Sequence, residues 1–206
     1  MRTRIAGAQG EEPLASLFSA TLRSSRVPTP VRDRSGTLRA DYINGPALTA
    51  DSRVLLAATN LLLPTVEAIG ADALVGIELG GCALASALAL MAAYSGRQPS
   101  LSFLRRTAKG YGYADRLTTP IPSGRSVLMI DDVVSTGATA AEAVAYLGTL
   151  GIHVKGLVVL ISRRPESEVR EIPLAVPVYY LLDSDAEGIA SGRPVRVVPD
   201  ARCGSR

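Results

Sequence analysis

The chain has 206 residues, 47% hydrophobic and 20% charged, with a formal net charge of +3. That is enough apolar material for a core, so a disordered chain is excluded. The basic residues are 20 arginines and only two lysines, Lys109 and Lys155, and the sole histidine is His153. A zinc site built on a histidine pair and a Gly-Lys-Ser/Thr phosphate loop are thereby excluded.

In chain order, the N-terminal segment carries Glu11, Glu12 and Pro13 where a signal peptide would be apolar. Leu14 to Leu22 is expected to form a short helix. Pro28 and Pro30 break the chain, and Ser35-Gly36 reads as a turn. Ala50 to Ile69 has helical spacing, with Pro64 expected to kink or restart it. Leu74 to Ile77 is a short apolar run, followed by Gly80-Gly81 and the Ala/Leu-rich stretch Ala83 to Ala93. That order reads as strand, turn and helix. Leu101 to Leu104 is a second strand, and Arg105 to Gly124 a long polar loop. Ser126 to Ile130, Val154 to Ile161 and Val176 to Leu182 read as further strands, with a helix over Gly137 to Leu150.

Strands that are apolar throughout and alternate with helices predict an α/β fold, a mostly parallel sheet covered on both faces. Ligands of such sheets bind beyond the carboxyl ends of the strands. The longest apolar stretch, Ala83 to Tyr94, is shorter than the about 20 residues a bilayer span needs. Cys82 and Cys203 make no disulfide framework. A soluble, cytoplasmic protein is expected. The pI of about 9.1 fits a small anionic ligand as well as nucleic acid.

The strongest signal is VLMIDDVVSTGATAAEAV, residues 127–144. A buried strand meets two adjacent carboxylates, then a Ser/Thr/Gly turn opens into an Ala-rich helix. The backbone N–H groups of Ser135 to Thr139 lie at a helix N-terminus, where unpaired donors and partial positive charge favour phosphate. The hydroxyls of Ser135, Thr136 and Thr139 add donors. Asp131 and Asp132 would repel a phosphate, so they face sugar hydroxyls or Mg²⁺ instead. The plainer alternative is a helix cap, with Ser135 or Thr136 as N-cap.

This segment resembles the phosphoribosyl-pyrophosphate (PRPP) motif of type I phosphoribosyltransferases. VGIELGGCALASALA, residues 75–89, resembles their pyrophosphate loop. FLRRTAKGYG, residues 103–112, resembles the mobile catalytic loop of the orotate branch, and SGTLRADYIN, residues 35–44, its N-terminal hood. The likeness spans about residues 30 to 165. It implies a hood over residues 1–48, a PRPP-binding α/β core over 49–185 and a tail over 186–206.

The resemblance further implies Mg²⁺-dependent transfer of phosphoribosyl from PRPP to a ring nitrogen of orotate or a similar base, in pyrimidine nucleotide biosynthesis. Asp131 and Asp132 would hold the ribose hydroxyls. Val133, Val134, Ser135, Thr136, Gly137, Ala138 and Thr139 would form the PRPP-binding turn. Glu78, Leu79, Gly80 and Gly81 would face pyrophosphate. Lys109, Arg105 and Arg106 would stabilise the leaving group, and Ser135 and Arg163 would meet the base. Mg²⁺ would be held mainly by PRPP, with no direct protein ligand assigned. A homodimer with shared active sites is implied, with no membrane partner and no expected nucleic acid.

The chain departs from the family pattern at Arg106, where lysine is usual, and at Tyr111, where histidine is usual. Ala83 replaces a common proline, and Arg39-Ala40-Asp41 a Ser-Pro-Tyr. Two alternatives follow: a paralogue acting on another nitrogen heterocycle, and a non-catalytic PRPP-sensing regulator that binds nucleic acid. His153 begins a core strand, so no catalytic role is expected for it.

Overall fold

A computed structural model describes residues 27, 29–32, 36, 38–39, 42–108, 115–163, 174–182 and 196–198. The expected helix at Leu14 to Leu22 lies outside these residues. The described chain opens with a two-stranded antiparallel pair, β1 (Val31–Arg32) and β2 (Leu38–Arg39). Gly36, at φ 81°, lies in the connection, a conformation that glycine adopts without steric cost.

Helix α1 (Gly45–Ala50) starts on Pro46, whose missing N–H is one the helix would leave unpaired anyway. Its Leu48 is buried in the core, so the expected hood–core boundary at 48/49 falls inside a helix. Helix α2 (Ser52–Ile69) is separate, because Asp51 is extended and caps it through Arg53 N at 2.9 Å. Pro64 was expected to kink or restart the helix; α2 does not restart but continues through it. Pro64 and Asn60, whose carbonyl loses its partner, are both exposed, so that carbonyl lies on the solvent side of the helix, where water can reach it. Gly70 ends α2 at φ 58°, and Lys155 Nζ donates to the Ile69 and Gly70 carbonyls at 3.2 and 3.0 Å. The second lysine is thus a helix C-terminal cap.

Strand β3 (Ala73–Ile77) is buried throughout, and α3 (Gly80–Tyr94) follows it. Then come β4 (Ser100–Leu104), β5 (Ser126–Val134), α4 (Ala138–Thr149), β6 (His153–Ser162), β7 (Val178–Leu182) and β8 (Arg196–Val198). The main sheet has the order β4-β3-β5-β6-β7-β8. Its first five strands are parallel, and only the β7–β8 pairing is antiparallel. The tail therefore contributes an edge strand that its Arg/Pro-rich sequence did not announce. One face packs on α1, α2 and α3 through Leu62, Leu84, Leu88 and Ile130; the other packs on α4 through Val75, Met129, Leu147 and Val159. Each such buried leucine or valine contributes roughly 1.5–3 kcal/mol.

Among the described residues, helix α2, rather than Ala83 to Tyr94, is long and apolar enough to cross a membrane. Val54, Ala58, Leu62 and Val66 pack one face of it on the sheet, while Leu56 and Leu61 stay exposed.

Candidate active site

The carboxyl ends of β3, β4, β5 and β6 lie side by side in the parallel sheet. The loops that follow bring together Glu78 to Gly81, Arg105, Arg106, Asp131 to Thr139 and Arg163. His153 lies at the opposite end, as the first residue of β6. Lys109 and Tyr111 lie outside the described residues, as do the 40–41 positions of the hood.

Strand β5 is longer than its sequence suggests. It continues through both acids to Val134, because β6 pairs alongside it as far as Val134↔Ser162. Asp131 and Asp132 therefore sit within the strand's last four residues rather than in the turn. Asp132 is only 8% exposed. Its carboxylate lies in a notch over Gly45 and Gly80, the first residues of α1 and α3, where any Cβ would overlap it. Val133 N donates to its Oδ1 at 2.7 Å, and Asp132 N donates to Asp131 Oδ1 at 2.9 Å. Burial pushes both carboxyls above the usual range; the Asp132 charge raises Asp131 further, and Arg106 opposes it.

The turn after β5 ends in Gly137 at φ 79°, which is the residue capping α4. The N-cap is this glycine, so the plainer reading of Ser135 or Thr136 as N-cap does not hold. Thr136 Oγ1 lies 3.4 Å from Ala138 N, a long contact. A 12-residue helix that starts behind a left-handed glycine presents its first backbone N–H groups as an anion cradle. Arg163 N donates to Val134 O at 2.8 Å, which ties the end of β6 to this turn.

After β3, the Glu78–Leu79 peptide is cis. Gly81 allows α3 to pass against the β5 backbone; a Cβ there would lie 2.9 Å from Asp131 Cα. Arg106 N donates to Glu78 Oε2 at 3.4 Å, joining the β3 and β4 loops. The Cys82 thiol is pushed up to about 11, first by burial and then by Glu78, Asp131 and Asp132. The site thus has an acidic floor, two arginines on one side and an anion cradle on another.

A cleft of about 570 Å³ opens at the other end of the sheet, beside Asp72, Arg97 and Arg125. It faces the amino ends of β3, β4 and β5, away from the loops that carry the site.

A family model described as a phosphoribosyl transferase domain matches residues 44–178, well over half the chain. The chain belongs to the phosphoribosyltransferase family. An orotate phosphoribosyltransferase from Nocardioides sp. is 33% identical over 156 residues, 74% of this chain and 84% of that protein. One from Nostoc sp. is 31% identical over 131 residues, 63% of each chain, so the match spans less than two thirds of that relative. The crystal structure of orotate phosphoribosyltransferase from Aeropyrum pernix aligns with a TM-score of 0.66 at 24% identity, over 87% of this chain and 99% of that one. The resemblance to type I phosphoribosyltransferases, and the α/β fold it implied, both hold.

Two features of this phosphoribosyltransferase site escaped sequence reading. Gly45 meets Asp132 from 87 positions away, and only the adjacent Pro46 hinted that a helix begins there. Arg116 looked like one arginine among many, yet it pairs with Glu142 at 3.0 Å.

Proposed function

We propose that the protein transfers a phosphoribosyl group from PRPP to a ring nitrogen of orotate or an orotate-like base, in pyrimidine nucleotide formation. The observation that carries this reading is the glycine-led start of α4, one short turn after a strand whose end carries a half-buried and a buried acid. In the reaction the bond from ribose C1 to pyrophosphate breaks, and its electron pair leaves with pyrophosphate. The base nitrogen forms the new bond to C1 and loses its N–H proton, which goes to the departing pyrophosphate or to water. Positive charge grows on the ribose and negative charge on the leaving group.

Amides and hydroxyls of Ser135 to Thr139 hold the 5′-phosphate. Asp131, at the mouth, accepts hydrogen bonds from the ribose hydroxyls and steadies the positive ring. Asp132 lies deeper and shapes the floor between α1 and α3. Glu78 to Gly81 line the pyrophosphate side, where Arg105 and Arg106 supply charge-assisted donors. Lys109 follows the leaving group as a compact cation. Ser135 and Arg163 meet the acidic base.

Mg²⁺ would enter with PRPP and be held mainly by it; the adjacent Asp131 and Asp132 carboxylates, hard oxygen donors, are the groups of this chain that would face it. When bound, Mg²⁺ would neutralise charge on pyrophosphate. By the same family likeness the working unit is a cytoplasmic homodimer with shared sites. Arg106 and Tyr111, which replace the family's lysine and histidine, favour a second reading in which the base is a different nitrogen heterocycle.

The test is pyrophosphate release from PRPP and Mg²⁺ with a panel of bases. Release with orotate supports the first reading. Release only with another heterocycle overturns orotate and keeps the reaction class. PRPP-dependent nucleic-acid binding without turnover would overturn both.

A further inference from the structure

The chain leaves β4 at Arg105 and comes back at Arg116. Residues 115–119 return antiparallel beside β4: Arg105 N donates to Arg116 O at 2.8 Å, Leu104 bridges Leu117, and Thr118 N donates to Phe103 O at 2.9 Å. Around this junction six side-chain contacts converge. Arg116 Nε donates to the Arg105 carbonyl at 2.9 Å. Arg116 Nη2 pairs with Glu142 at 3.0 Å. Its guanidinium centre lies 4.7 Å from the centroid of the Tyr146 ring. The Tyr146 hydroxyl donates to Asp115 Oδ1, which also accepts from Arg116 N at 2.6 Å. Arg105 Nη1 donates to the Asp115 carbonyl at 3.2 Å.

The helix side of this junction is α4. Thr139, Glu142 and Tyr146 are spaced by three and four residues, so they share one helix face. Thr139 lies in the first turn of α4, just after the anion turn, and it lines one recess with Arg105, Arg106, Arg116 and Glu142. An exposed ion pair alone would contribute about 0–1 kcal/mol and little geometry. Arg116 is different. Its side chain is 19% exposed, and it uses its Nε, one arm of its fork and its flat face at once. A lysine has no such set of contacts to offer.

We propose that Arg116 is a positioning residue of the site. Through Glu142 and Tyr146 it holds both ends of the 105–117 excursion on α4. That fixes Arg105 and Arg106 relative to the turn at Ser135 to Thr139. The proposal deepens the functional reading above and rests on that turn being the phosphate cradle.

The experiment uses the full chain and the variants Arg116→Ala, Arg116→Lys and Tyr146→Phe. One measurement is kcat and KM for PRPP with the base that the panel selects. The other is hydrogen exchange at the Arg105 amide, with the Met129 amide of β5 as internal reference. Arg116→Ala is expected to lower kcat about 10- to 100-fold, as small misplacement of charged groups does. Its KM for PRPP should stay within about threefold, because the cradle itself is untouched. Arg116→Lys should recover little of the loss. Arg105 exchange should rise in Arg116→Ala and Tyr146→Phe while Met129 is unchanged. Should Arg116→Ala fail to fold, Tyr146→Phe deletes one hydroxyl only and carries both measurements.

Wild-type kcat in Arg116→Ala, full recovery in Arg116→Lys, or unaltered Arg105 exchange would each overturn the proposal. If the wild type turns over no base, the functional reading falls by itself, and Arg105 exchange decides whether the clamp exists.

Discussion

Replacing Gly45 by alanine tests the floor of the site with a single methyl group. The added Cβ would overlap the Asp132 carboxylate, and even the farther oxygen, Oδ1, would lie 2.9 Å away. Either Asp132 leaves its notch or α1 moves off the sheet with Leu48. Overpacking of this kind costs about 1–3 kcal/mol. In a chain of this size each kcal/mol lowers Tm by about 2–4 °C, so a drop of roughly 2–12 °C is expected. Gly148→Ala is the control: a Cβ there meets nothing within 4 Å. That change, inside helix α4, should raise stability by about 0.5–1 kcal/mol. The decisive assay is a double-mutant cycle by thermal unfolding of Gly45→Ala and Asp132→Ala. With the carboxylate gone the methyl has room, so the penalty of Gly45→Ala should largely vanish in the Asp132→Ala background. Additive effects would refute the contact as the cause.

Three further outcomes are expected. Lys109→Ala should lower kcat far more than it weakens PRPP binding, measured by steady-state kinetics and calorimetry, since its charge acts as pyrophosphate departs; equal losses would count against that role. Asp131→Asn should weaken PRPP binding but leave the fold at least as stable at pH 8. Burial raises the Asp131 pKa, so ionising it costs the folded state stability once the pH climbs above the usual carboxylate value. The variant removes that cost and should show no advantage near pH 4; a lower Tm at pH 8 would contradict this. Cys82, pushed up to about 11 from an ordinary 9.0, should alkylate roughly tenfold more slowly at pH 8 than a typical thiol, since its smaller thiolate fraction is partly offset by a more basic sulfur. Peptide mapping after iodoacetamide checks it, and Asp131→Asn should speed the reaction; fast labelling in the wild type would refute the local field.

What the sequence announced was local. The buried run into Asp131-Asp132 and the Ser-Thr-Gly turn could be read directly, because apolar continuity and glycine act within a few residues. The strand and helix order through β3 to β7 was legible for the same reason. Long-range consequences were not. Nothing near Asp132 says that the strand continues past it; the partner strand β6 supplies that extension. Pro64 looked like a break because its cost depends on whether water reaches the Asn60 carbonyl, which is a tertiary matter. Strand β8 was hidden among arginines and prolines, since an edge strand needs no apolar run. The notch at Gly45 and the junction at Arg116 arise from contacts that exist only in the folded chain.

The antiparallel return of residues 115–119 also bears on how the protein behaves in concentrated solution. Strand β4 borders the sheet and carries Leu101 and Phe103, so its free side would offer a template for another chain to pair with. The return fills that side: Phe103 N donates to Thr118 Oγ1 at 2.8 Å, and Ser102 Oγ donates to the Thr119 carbonyl at 2.8 Å. The segment that comes back from the site is therefore also the guard of an exposed sheet border. Changes that loosen it would cost colloidal stability together with turnover, and aggregation on storage would be the first visible sign.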